Sequence, residues 1–319
     1  MANAIEKPEK LVSQGLGLLR QKVILPSLVT RLSAADFVGA KNDTVDIKIP
    51  SLLAGREYNW RNDRTNPITV DELNEQSIPV QLNHHFYNAI GLTDEELTLD
   101  IDSWGAQVAT PQLNAVADKT EGALATAIEA ADTQHTVEFD PDLSNEDDRA
   151  FWKAAVAARK ALNTENVPQG GRVIVLGADV EEAALQSKHL VDVDTSGASE
   201  ALREAIIGRI AGFTVIGGIN ALDPDFAMAF HPTAFGFANV APAVPGGVSA
   251  GATTSYEGLA LRWIKDYDSD HLRDRSVYSS FAGAVSVEDG RVMDPSDPNF
   301  GDLTSKNVRA VTIDYVAGS

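Results

Sequence analysis

Cysteine is absent from this chain of 319 residues. Disulfides, thiolate catalysis and cysteine-ligated metals are therefore excluded, and the composition suits a reducing cytoplasm. Positive charge is also scarce. Lys and Arg total 26 against 46 Asp and Glu, a formal net charge of -20. Duplex wrapping needs a basic footprint, and this balance offers none; it favours solubility and disfavours anionic partners. No apolar run is long enough to span a bilayer. The apolar stretch 11–28 is interrupted by Arg20 and Lys22 and ended by Pro26, with no small-residue cleavage site close behind, so it does not read as a signal peptide. Sites for small-molecule chemistry are equally thin. Gly171–Asp179 (GRVIVLGAD) has the look of a first Rossmann strand but lacks Gly-x-Gly-x-x-Gly, and Gly15-Leu16-Gly17 follows no strand. Two calcium-loop mimics fail: the one starting at Asp192 has Arg203 where a Glu should close it, and Asp266-x-Asp268-x-Asp270 has His271 where Gly is required. His84-His85 would point to opposite faces of a strand, and His135, His189, His231 and His271 lack ligand spacing. We expect no catalytic residue, cofactor or metal site.

The stretch Asp102–Ala131 (DSWGAQVATPQLNAVADKTEGALATAIEAA) is what the chain does have in length. Asp102 can cap a helix. Trp104 and Val108, then Leu113, Val116, Leu124 and Ile128, recur at helical spacing, with Asp118, Lys119 and Glu121 off the stripe. Pro111 should start or bend the main helix, because it lacks a backbone donor and clashes with the preceding turn. At ~1.5 Å per residue the whole stretch would reach roughly 45 Å. Its thin, alanine-rich stripe suits a strut under a sheet.

Before the helix, residues 1–42 read as an arm, with Leu11, Val12, Leu16, Leu19 and Val23 able to form a short amphipathic helix. Residues 43–91 read as two alternating strands, Asp43–Pro50 and Gln76–Ile90, joined by a polar loop. Such a ribbon has almost no core and is marginal alone in water, so it should lie against something else. Its tip, Arg56–Arg64 (REYNWRNDR), gathers Arg56, Arg61 and Arg64 with Tyr58 and Trp60, residue types favoured as interface anchors. Asp118 and Glu121 on the helix, or the acidic link Glu138–Asp148, are the open choices for their partners.

After the helix the chain turns compact. Asp147 can cap a helix buried through Phe151, Trp152, Ala155, Val156 and Leu162. Strand Arg172–Leu176 and a helix from Asp179 follow, then a helix Glu200–Ile207, strand Phe213–Ile216, a turn at Asp223-Pro224 and strand Phe226–Phe230. Val240–Ser255 holds only Val, Ala, Pro, Gly, Ser and Thr and reads as an uncharged loop, either a mobile surface loop or one that meets its symmetry copies about an axis. Strands Leu259–Tyr267, Ser276–Val287 and Val308–Tyr315 close the chain.

This order of parts resembles the major capsid proteins of tailed bacteriophages with the Hong Kong 97-type fold, and looks closest to actinobacteriophage coat proteins. Residues 97–128 resemble the spine helix and its lead-in, 171–185 the strand and helix of an axial domain, 208–242 its later strands, and 258–287 the return to a peripheral domain. The resemblance implies an α+β fold with an N-arm (1–42), an extended loop (43–91), spine helix and peripheral domain (92–139), axial domain (140–257) and return strands (258–319). It implies hexamers and pentamers of the chain itself, an icosahedral shell enclosing double-stranded DNA without specific binding, and assembly in the bacterial host cytoplasm. Too few residues precede Asp43 for a fused scaffold, so a separate scaffolding protein is expected, with portal and decoration proteins as further partners. An encapsulin-type shell and a cytoplasmic α/β enzyme are the competing classes. Packaged DNA against cargo protein separates the first, and a polar pocket would mark the second.

Overall fold

The structure is a computed structural model that describes residues 23–32, 34–37, 44–49, 76–93, 105–141, 149–186, 206–248, 250–256, 259–292 and 301–316, with positions 53, 55–58, 60, 67, 68, 70 and 95 besides. The amphipathic arm helix through Leu19, the Asp102 cap and Trp104 lie outside the described residues.

The long helix α1 runs Thr110–Glu129. Twenty residues make it about 30 Å long, shorter than the pattern suggested. Pro111 sits in its first turn, where a missing donor does no harm, and a π-helical turn Gly105–Ala109 leads into it. Its buried side is Gln112, Leu113, Val116, Ala117, Thr120, Leu124, Ala125 and Ile128, with Asp118 and Lys119 exposed.

Two six-stranded sheets share this helix. The first is ordered β1 (Thr30–Leu32), β10 (Phe235–Val240), β13 (Arg273–Ser286), β12 (Leu259–Asp268), β11 (Ala250–Tyr256), and β4 (His84–Thr93) also pairs with β13. The second is β5 (Thr133–Phe139), β14 (Asn307–Tyr315), β9 (Phe226–Phe230), β6 (Val173–Leu176), β8 (Phe213–Ile216), β7 (Ile206–Ile210). Strands β2 (Thr44–Ile49) and β3 (Gln76–Gln81) form a separate antiparallel ribbon. One apolar cluster joins α1 to both sheets through Leu113, Val116, Leu124, Ile128, Val175, Phe230, Phe237 and Tyr278. A second covers the other face of the β5–β7 sheet, under α2 (Ala150–Thr164) and α3 (Ala178–Gln186). The four residues of β6 are all buried, odd ones in the first cluster and even ones in the second, as an apolar strand covered on both faces requires.

Several sequence expectations are corrected. The helix expected at Glu200–Ile207 fails at its end: Ile206 and Ile207 begin strand β7, because Ala211 and Gly212, at φ +48° and +89°, make the two-residue left-handed turn that closes a β7–β8 hairpin. Residues 200–205 lie outside the described set. Six of the sixteen residues of the expected loop Val240–Ser255 are in strand β11, paired from Ala250↔Lys265 to Tyr256↔Leu259. With β10, it belongs to the sheet of β13. On α2 the buried stripe is Phe151, Ala154, Ala155, Ala158 and Leu162, while Trp152 and Val156 lie on an exposed flank. The three alanines bring the helix close to the sheet and rotate the stripe past the larger side chains. Arg149, which makes no side-chain capping bond to the helix, stands at the cap position given to Asp147, which is outside the described residues. The acidic link is described only at Glu138–Pro141, and Glu138 and Phe139 end strand β5.

Candidate assembly surfaces

The ribbon seats one face of its strands on the first sheet, with Ile49, Ile78 and Val80 buried. Ile49 and Ile78 bury against Val287, with Ile47 and Val285 beside them. Glycine makes the seat. A Cβ on Gly283 would run into the backbone carbonyl of Gln81, and one on Gly236 would touch Ile47 Cδ1 at 3.0 Å and Val80 Cγ2 at 3.4 Å. Away from this root the ribbon leads into a loop whose apolar side chains face solvent: Trp60 is 88 % exposed, Val70 80 % and Ile68 72 %. Arg56 is exposed and Tyr58 half-buried; Arg61 and Arg64 lie outside the described residues. Monomeric proteins seldom display several large apolar side chains along one loop, and such a display marks an interaction surface.

The two helix carboxylates differ. Asp118 is exposed. Glu121 is committed within its own subunit, where its Oε1 accepts the Ile24 amide at 2.8 Å and the Leu25 amide at 3.1 Å. Those amides open a 3-10 turn, Leu25–Ser27, which has no side-chain cap of its own. Glu121 thus latches the end of the arm onto α1. Replacing Glu121 by Ala should loosen this latch by about 1 kcal/mol, roughly a fivefold acceleration of hydrogen exchange at Ile24 and Leu25. Unchanged exchange at both amides would show that the carboxylate does not hold the arm.

Buried polar side chains fix the two sheets to the helix and to each other. Gln112, with no exposed surface, donates from Nε2 to the Ser276 carbonyl at 3.0 Å and accepts from Ser276 Oγ at 2.9 Å; Trp263 Nε1 donates to the same hydroxyl. At the other end of α1, Glu129 accepts the Asp223 amide at 2.7 Å, and burial pushes its carboxyl up. Asn307 of β14 donates to the Ala234 carbonyl and to Ser286 Oγ, tying the second sheet to the crossover into the first. His231 opens that crossover. Its Nδ1 accepts the Thr233 amide, and burial, then the nearby Arg309 guanidinium, hold its pKa down. Arg309 donates from Nε to Asp289 at 2.6 Å, yet burial dominates and pushes that carboxyl up. Beneath α1, burial raises the Tyr278 phenol to about 12. Among the described residues, no group of three or more His, Asp or Glu side chains is placed to hold a metal, and no helix is long and apolar enough to cross a membrane. Sequence reasoning missed Gln112, Asn307 and the latch role of Glu121. The one available signal was polar Gln112 and Thr120 breaking into an apolar stripe.

The sequence matches no family model and no curated protein. Solved structures are more informative. A chain from Mycobacterium phage Che8 is similar at TM-score 0.61 and 19 % identity, over 92 % of this chain and 91 % of that one. The capsid structure of cyanophage P-SCSP1u is similar at TM-score 0.60 and 11 % identity, over 93 % and 89 %. The chain has the Hong Kong 97-like capsid fold. A virus-like particle from Pyrococcus furiosus also matches, at TM-score 0.51 and 11 % identity over 96 % and 98 %. The capsid fold therefore spans ribbon, helix and both sheets together. Within a capsid fold, side chains such as Gln112 and Asn307 brace the subunit, and the exposed apolar loop is left as the surface with no use inside it.

Proposed function

We propose that this chain is the structural subunit of a phage shell, assembling through hexamers and pentamers around double-stranded DNA. The observation that carries the reading is the ribbon loop, with Trp60, Ile68 and Val70 exposed beyond a ribbon seated by Ile49, Ile78 and Val80. A neighbouring copy would cover these side chains, and many modest contacts summed over a shell give the stability that one contact lacks. In this reading residues 1–42 are the arm, 43–91 the extended loop, and α1 the spine. The loop arginines meet carboxylates of a neighbour, with Asp118, Glu121 and the acidic link 138–148 as the candidates. A separate scaffolding protein, a portal and decoration proteins would join during assembly in the host cytoplasm. The charge of -20 implies DNA contained and not gripped.

Electron microscopy and light scattering of the purified chain test this. Particles or five- and six-membered rings are expected, and the free subunit should show no duplex affinity at physiological salt. A stable monomer at all concentrations, or micromolar DNA binding with a steep salt slope, would defeat the proposal. Particles recovered from cells with a protein cargo and no nuclease-protected DNA would move it to a nanocompartment shell.

A further inference from the structure

The crossover from β9 to β10 carries the chain from the second sheet to the first in four residues, His231–Ala234. The His231 ring is used at both nitrogens. Nδ1 accepts the Thr233 amide at 3.3 Å and meets Thr233 Oγ1 at 2.8 Å. The other side of the ring donates to the Gly170 carbonyl, in the turn that leads into β6. A neutral imidazole with its proton on Nε2 can do both. A ring protonated at both nitrogens has no acceptor left, so the Thr233 amide loses its cap. The rest of the joint is held from elsewhere: Thr30 Oγ1 of β1 donates to the Pro232 carbonyl at 3.1 Å, and Asn307 to the Ala234 carbonyl at 2.9 Å.

The charges around the ring also oppose a second proton. Arg309 of β14 lies beside it, engaged with Asp289 on the loop after β13. Arg172, at the start of β6, is 2 % exposed, and it donates to neutral acceptors: the Pro168 and Val167 carbonyls and Asn163 Oδ1. The other charges on elements packed here are Arg31 of β1, Glu288 beside Asp289, and Lys306, which pairs with Asp132. Among the described residues, no carboxylate bonds the ring. Protonated His231 would thus be a third cation next to two guanidiniums. Burial, then Arg309 and Arg172, hold its pKa below the usual imidazole value of 6.5. The unfolded chain takes up the proton more readily, so folded stability is full above pH 6.5 and falls as the pH drops below it.

We propose that His231 is a proton-operated pin at the joint of the two sheets: neutral, it locks the crossover, and protonated, it releases Thr233 and loosens the joint. The device gives the subunit a softer setting in acid without a change of fold. It does not depend on the shell reading, so either can fail alone.

Amide hydrogen exchange of the full chain near pH 7.5 and near pH 5, corrected for intrinsic chemistry, tests it on wild type and H231N. Asparagine offers a side-chain oxygen to the Thr233 amide and does not titrate. In the wild type, exchange at Thr233 and Ala234 should rise at least about fivefold in acid; in H231N it should stay within about twofold. Asp289 and Glu129, whose carboxyls burial pushes up, are present in both proteins, so the difference isolates the ring. An equal rise in both, or no rise in the wild type, overturns the pin. If H231N does not fold, the wild type decides alone: the Cε1–H resonance of His231 must titrate with the same midpoint as the exchange. A different midpoint overturns the proposal as well.

Discussion

Replacing Trp60 by Ala together with Arg61 by Glu is expected to cut the yield of sedimenting shells at least tenfold, with the subunit's melting temperature within about 1 °C of wild type. The asymmetry follows from placement. Trp60 is 88 % exposed, so its removal opens no cavity in its own subunit. Buried in a neighbour, a tryptophan anchor typically carries about 2 kcal/mol or more, and the Glu reverses a charge aimed at an acidic partner. A single exposed ion pair is worth only about 0–1 kcal/mol, so Arg61→Glu alone should act weakly. The double change acts at every copy in a shell, which multiplies it. Sedimentation of assembled material beside circular dichroism of the soluble fraction measures both sides. Wild-type shell yield would remove the loop from the assembly interface. Loss of folded signal would mean that Trp60 serves its own core, against its exposure.

Replacing Gln112 by Ala should have the opposite profile, a loss of about 3 kcal/mol in subunit stability. The side chain is fully buried and both ends of its amide are used on Ser276, whose carbonyl and hydroxyl would lose those partners. Each buried polar group stripped of a partner costs about 1–3 kcal/mol, and the space left adds to it. Trp263→Phe removes only the indole donor to Ser276 Oγ and should cost about 1 kcal/mol. Urea unfolding of the dilute subunit measures both variants. A change below 1 kcal/mol for Gln112→Ala would mean that the network does not brace α1 against β13.

What was legible in the sequence divides by physical range. Pro111 and the spacing from Leu113 to Ile128 announced α1, and alternation announced the ribbon and the closing strands, because those signals are local. The β7 error came from an apolar run too short to separate helix from strand; the Ala211-Gly212 turn decided it. The loop reading failed over Ala250–Ser255 because small uncharged residues carry no period, and β11 exists only through its ladder to β12. Trp152 and Val156 were misplaced because alanine, not bulk, set the contact line of α2. At the candidate surfaces, the sequence supplied the residue types of the loop tip but not the exposure of Trp60, which depends on the whole fold. Glu121 and His231 were illegible: one depends on amides 97 residues away, the other on guanidiniums that only the fold brings beside it.

The seat of the ribbon has a mechanical consequence. Ile49, Ile78 and Val80 bury one face of a two-stranded ribbon that shares no ladder with either six-stranded sheet, while the helix and sheets behind it share an extensive core. Tilting such a ribbon slides side chains on their seat without breaking a strand pairing, so its angle is soft where the body is stiff. In a closed shell, five-fold and six-fold positions demand different angles between neighbours from one sequence. That compliance would reside at the seat formed by Gly236 and Gly283, and the curvature of the particle would be absorbed there.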